Sequence, residues 1–190
     1  RLLNSLWTGT NRFSLRRDHL LVHTLALNLA NKHYGTPVFS TDRGGELLAK
    51  ELSWPVQVER WLDDIPAHGL RHVWALGKLH SLAKSPFPVI QFDCDTLIIE
   101  PLPEWFTQSA MVAQSIDYIQ GYQRDYMIEF IERCGYDPTW NPYNCGLIGG
   151  NDHETVKRYA TESIEKAKLF KSDTQGTGIS MIVEQWRSEE

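Results

Sequence analysis

Hydrophobic and polar positions switch between two periods along this chain of 190 residues. Leu2 to Trp7 reads as a strand, and Thr8-Gly9-Thr10-Asn11 as the loop after it. Arg16 to Tyr34 has helical spacing. Leu21, Leu25 and Leu29, with Val22, Ala26 and Ala30 beside them, are predicted to face the core. Gly35 ends that helix and Pro37 prevents its continuation. Pro37 to Asp42 is a short strand ending in polar groups, and Arg43 to Leu52 a second helix with Glu46 and Lys50 paired one turn apart. Such alternation predicts a parallel sheet. Trp54 to Ala67 reads as irregular, with Asp63-Asp64 in a solvated loop. Arg71 to Lys84 is the next helix, with Val73, Leu76, His80 and Ala83 as its apolar stripe and Trp74, Lys78 and Leu82 on another face.

Val89 to Ile99 is the most informative stretch. Val, Ile and Phe around Gln91 suit a strand covered on both sides. It runs into Asp93 and Asp95. Buried carboxylates are costly unless paired or bound to a cation. In strand geometry an i, i+2 pair shares one face, so both aspartates can reach a single cation. Ligands of open α/β sheets also sit beyond the carboxyl ends of the strands. Oxygen-only ligands favour Mg2+ or Mn2+. The plain alternative is a polar turn with local hydrogen bonds.

Pro101 to Phe106 reads as a turn, Ala110 to Ser115 as a strand, and Gly121 to Cys134 as a helix. Tyr143 to Gly150 is a strand interrupted by Gly146, the residue type that lets a ligand or backbone approach closely. Asn144 is either a turn residue or an amide at a sugar-binding mouth. Asn151 and Glu154 read as a capping box for the helix that runs to Phe170. Lys171 to Gly178 is a polar loop, and Ile179 to Trp186 a short helix carrying Glu184-Gln185. Trp7 is either core or a wall stacking on a planar ring.

Composition narrows the choice of function. Lys and Arg number 19 against 24 Asp and Glu, for a net charge of −5, and no basic cluster stands out. A nucleic-acid surface is therefore not expected. Three widely spaced cysteines without a CxxC motif argue against a zinc site or a disulfide framework, and fit a reducing, cytoplasmic setting. No run of about 20 apolar residues is present, so no membrane span is expected. The length suits a single domain.

These motifs together resemble glycosyltransferases of the GT-A fold, in particular the glycogenin-like family 8 enzymes. Lys78-Leu79-His80 is similar to the family's helix before the metal strand. Phe92-Asp93-Cys94-Asp95-Thr96-Leu97-Ile98 resembles its apolar-D-x-D-T-apolar signature. Pro101 to Phe106, Tyr143-Asn144-Cys145-Gly146-Leu147 and Glu184-Gln185 resemble its later segments in order. The likeness is close over residues 72–106 and looser over 143–186. It implies a single GT-A domain, Rossmann-like, with a mostly parallel central sheet flanked by helices. It further implies a nucleotide-sugar donor, usually UDP-linked, and Mn2+ or Mg2+ held by Asp93 and Asp95. Asp93 would also serve the ribose. Lys78 would lie near the diphosphate, with Trp7 and Asp42 on the nucleotide side. Asn144, Glu184 and Gln185 would border the transferred sugar. The family's third metal ligand is a C-terminal His, so a segment following Glu190 is expected to supply it. Cys94, Glu184 and Gly149-Gly150 depart from the family pattern.

The expected chemistry is coherent. A cation and Lys78 neutralise the leaving diphosphate, and Glu184, Gln185 or Asn144 stabilises an oxocarbenium-like sugar. Competing readings are a binding domain of the same fold that does not transfer, and a nucleotidyltransferase. The latter calls for a Gly-rich basic loop after the first strand, where Leu6 to Arg12 has one Gly.

Overall fold

The computed structural model describes residues 1–9, 16–65, 73–117, 122–139, 141–170 and 184. Its strands are β1 (Leu2–Leu6), β2 (Val38–Thr41), β3 (Gln57–Glu59), β4 (Val89–Phe92), β5 (Val112–Ile116) and β6 (Tyr143–Gly150). Its helices are α1 (Arg17–Tyr34), α2 (Arg43–Glu51), α3 (Leu76–Lys84), α4 (Glu104–Gln108), α5 (Tyr122–Arg133) and α6 (His153–Ala167). The strands form one sheet in the order β3-β2-β1-β4-β6-β5.

The side chains of β1 and β4 alternate between two apolar cores. Leu3, Val38, Val89 and Ile148 face Leu76, Leu79 and Leu82 of α3 and Val156, Tyr159 and Ala160 of α6. Leu2, Phe39, Ile90, Phe92 and Leu147 face Ala26, Leu27 and Ala30 of α1 and Leu48 of α2. The result is an α/β domain with helices on both faces of the sheet. Strands covered on both faces carry apolar side chains throughout, as β4 does.

The sheet is mixed, not mostly parallel as expected. β1 pairs with β2 and β4 in parallel, and β2 with β3 likewise, but β6 runs antiparallel to both β4 and β5. Apolar content says that a strand is buried, not which way it runs. The directional signal lay in Gly149-Gly150. Gly149 has φ +147°, and a Cβ there would collide with the carbonyl of Val89, while one on Gly150 would meet Ala110 O. The antiparallel strand is squeezed between its neighbours at a place only glycine fits.

Several boundaries also differ. Leu21 and Leu25 are 57% and 47% exposed, and α1 instead buries His23, Ala26, Leu27 and Ala30. Two overlapping rows of α1 are apolar, and the sheet receives the one with small alanines and a histidine that finds a polar partner. His80 is only half-buried, whereas Lys78 of the same helix is buried. β3 arises where the sequence read as irregular, and α4 where it read as a turn. The cap of α6 is Asp152, accepting from Glu154 N and Thr155 N, in place of the Asn151 box. The expected loop over 171–178 and helix over 179–186 lie outside the described residues, Glu184 excepted. No helix among the described residues is long and apolar enough to cross a membrane.

Candidate functional site

The sheet's distinctive chemistry lies at the carboxyl end of β4. The strand stops at Phe92, and Cys94-Asp95 forms a turn. Asp93 and Asp95 are therefore not successive positions on one strand face, as strict strand geometry predicted. The turn is built firmly. Asp93 N donates to Gly146 O at 2.9 Å, Thr96 N to Asp93 O at 3.1 Å, and Thr96 Oγ1 to Gly146 O at 3.1 Å. Below it, the fully buried Asn4 donates through Nδ2 to Phe92 O at 2.8 Å and accepts through Oδ1 from His23 Nε2 at 2.7 Å. His23 packs against Trp54, with ring centroids 4.5 Å apart and the rings tilted by 50°. A buried carboxamide and imidazole thus fix the last peptide before Asp93. Burial holds His23 neutral, its pKa lowered to about 4.

Lys78 enters from α3. Gly77 beside it has no Cβ, which would press on Trp7, and this lets α3 lie close to β1. The Lys78 ammonium is 5% exposed and fully used by the protein. It lies 2.6 Å from Asp93 Oδ1, donates to Cys145 O at 2.8 Å, and is ion-paired with Glu184 Oε1. Burial alone would lower its pKa. Asp93 and Glu184 more than offset that, and the group is held protonated above the ordinary lysine range. Burial raises both carboxylates above the ordinary range, Glu184 to about 7, and Lys78 offsets only part of that rise. The sequence predicts Lys78 at the diphosphate; the structure surrounds its ammonium with Asp93, Glu184 and the carbonyl of Cys145, because a buried ammonium must be paired.

Glu184 is 1% exposed. Its carbonyl accepts from Tyr159 Oη and from Cys145 Sγ, the latter at 3.6 Å. Its carboxylate is sealed against Lys78, not open to a sugar. Oε1 has the ion pair but no partner in hydrogen-bond geometry. Above about pH 7, with both carboxylates ionised, one positive charge between two negative ones leaves the trio one charge negative. The exposed Asp95 adds another.

The remaining expected residues lie as follows. Asn144 is half-buried on β6 and accepts through Oδ1 from Gly146 N at 2.9 Å. A Cβ on Gly146 would meet Gln114, Asn144 and Thr96 side chains, so these three polar groups surround it. Trp7 is 6% exposed and belongs to the core against α3. Asp42 caps α2, accepting from Gly45 N at 3.0 Å, and also accepts from Thr8 N at 2.8 Å. Its acceptors are spent on joining the β1 loop to α2. Gln185 lies outside the described residues. Sequence reasoning missed Asn4, Cys145 and Tyr159. An Asn in a buried strand is the one signal among them, since a desolvated amide requires partners.

Along residues 1–188 the chain matches the model of a family described as a family of unknown function, DUF6734. The chain belongs to this family. No curated protein matches it.

The donor set at the β4 end of this DUF6734 chain suits a hard divalent cation by its chemistry, which is carboxylate oxygen. Among the described residues no group of three or more His, Cys, Asp and Glu side chains is placed to hold a metal. Asp93 and Asp95 can supply two protein ligands, and a bound diphosphate would have to supply others. Mg2+ and Mn2+ sites commonly divide their ligands in that way.

Proposed function

We propose that this chain is a GT-A glycosyltransferase that uses a nucleoside-diphosphate sugar, with UDP as the leaving nucleotide and Mn2+ or Mg2+ at Asp93 and Asp95. The single observation that supports the reading most is the Lys78–Asp93 pair at the carboxyl end of β4, where an exposed Asp95 follows one turn residue later. A turn made only for chain reversal has no need of a buried ammonium beneath it.

When bound, the cation supplies charge neutralisation for the departing diphosphate. The chain's own residues do the rest. Asp93 and Asp95 orient that charge at the sheet's end. Lys78 acts through Asp93, holding its carboxylate in one position. Thr96 and Gly146 fix the turn. Asn144, beside Gln114 and Thr96 around Gly146, offers amide and hydroxyl groups for the sugar. Gln185 joins it only by the family resemblance. The acceptor is a carbohydrate or another hydroxyl-bearing molecule.

Thermal melting with UDP, in MnCl2 and in EDTA, tests the binding half. A rise in melting temperature with UDP that needs Mn2+ is expected. Release of UDP from a panel of UDP-sugars tests the transfer half. Binding without release would make this a nucleotide-sugar-binding domain.

A further inference from the structure

We propose that Glu184 is a positioning residue that keeps the cation site negative by taking a share of Lys78 from Asp93. The inference rests on the glycosyltransferase reading above.

Lys78 touches both carboxylates at once, at 2.6 Å from Asp93 Oδ1 and in direct ion-pair contact with Glu184. The two carboxylates differ in what else they can reach. Asp93 keeps a quarter of its side-chain surface, and Asp95 two residues on is exposed. Glu184 keeps 1% and faces inward. An inward carboxylate cannot ligate a cation on the surface, so its effect there is through charge. Without Glu184, one ammonium would face one aspartate. That pair is neutral, and Asp95 alone would confront the cation. With Glu184 present and ionised, as it is at about pH 8, the trio keeps one negative charge and Asp95 makes the region doubly negative, which matches a divalent ion. Charges in a desolvated site act over several ångströms with little screening.

Glu184 is held for this purpose from its backbone as well. Its carbonyl accepts from Tyr159 Oη and Cys145 Sγ, and Cys145 O also accepts from Lys78. Strand β6, helix α6 and helix α3 therefore fix the carboxylate and the ammonium relative to each other. These carbonyl contacts anchor the chain by themselves; the carboxylate adds a charge shared with Lys78.

The test is a charge cycle on the intact chain, read by calorimetry of UDP binding at about pH 8, where carboxylates and lysine are both ionised. Wild type, Glu184→Gln, and the double variant Lys78→Met with Glu184→Gln are compared, each in MnCl2 and in EDTA. Circular dichroism melts confirm that each is folded. Glu184→Gln should weaken UDP binding in Mn2+ by about tenfold or more, from the loss of a charge close to the cation. Binding in EDTA should hold or tighten, since the same negative charge repels the diphosphate. The double variant removes one charge of each sign and restores the negative charge on Asp93, so its Mn2+-dependent affinity should recover towards wild type. A sugar contact or a folding role predicts the opposite, with the double variant no better than the single.

Wild-type affinity in Glu184→Gln, or no recovery in the double variant, overturns the inference while leaving the glycosyltransferase reading standing. A wild type whose UDP affinity is indifferent to Mn2+ overturns both.

Discussion

The ammonium of Lys78 lies 2.6 Å from Oδ1 of Asp93, joining the first turns of α3 to the carboxyl end of β4. The lysine is buried and the aspartate sits at the rim. Neither residue alone would be retained in its place. The ammonium needs anions to be desolvated, and the aspartate needs a cation to end a buried strand.

Lys78→Met should destabilise the fold sharply. It strands Glu184 in the interior and Asp93 beside it. Removing one member of a buried ion pair costs about 3–5 kcal/mol. Urea denaturation should show that fall in the midpoint, and adding Glu184→Gln should recover much of it, since a buried pair replaced by neutral groups is often tolerated. A single variant as stable as wild type would mean that Lys78 is not buried as described.

Acid should weaken the fold through His23. Burial lowers its pKa to about 4, while an unfolded histidine titrates near the ordinary 6.5. Between those values the unfolded chain binds the extra proton, so stability falls as pH drops from about 6.5 and levels off below 4. The full effect is about 3 kcal/mol for a shift of this size. His80, lowered to about 4 by burial and then by Lys84 and Lys168, acts in the same sense. Urea midpoints at neutral and mildly acidic pH should separate more in wild type than in His23→Gln. Equal separation would remove His23 from the account.

Gly149→Ala tests the reversed strand. The residue has φ +147°, and the new methyl group would collide with Val89 O, so a loss of about 1–3 kcal/mol or more is expected from backbone strain alone. Thermal melting that left the variant unchanged would show that β6 does not pass Val89 so closely.

How much of this was legible in the sequence can be read residue by residue. β4 and its two aspartates were plain, because an apolar run ending in anions has few explanations. Most of the order of strands and helices was plain for the same reason of period, but the three-residue β3 and the five-residue α4 are too short to show one. The direction of β6 was not, since antiparallel and parallel buried strands have one composition; only Gly149-Gly150 carried the difference. Leu21 and Leu25 misled, because α1 has two apolar rows and tertiary packing chose the smaller one. Lys78 was singled out, but its partners were not. Glu184 lies 106 residues away by number, and a periodic pattern holds no information about contacts at that separation. Asn4 was passed over as a strand residue, although an amide inside a strand always needs partners.

Calorimetry of UDP binding in MnCl2 on wild type and Asp95→Asn decides whether Asp93 and Asp95 hold a cation with the nucleotide. Asp95 is exposed and free of the Lys78 pair, so its replacement leaves the fold intact and removes one charge from the cation site. The account predicts that wild type binds UDP much more tightly in Mn2+ than in EDTA, and that Asp95→Asn loses the difference. Equal Mn2+-dependent affinity in the two proteins would contradict it, and would reduce Asp93 and Asp95 to a turn that closes a strand.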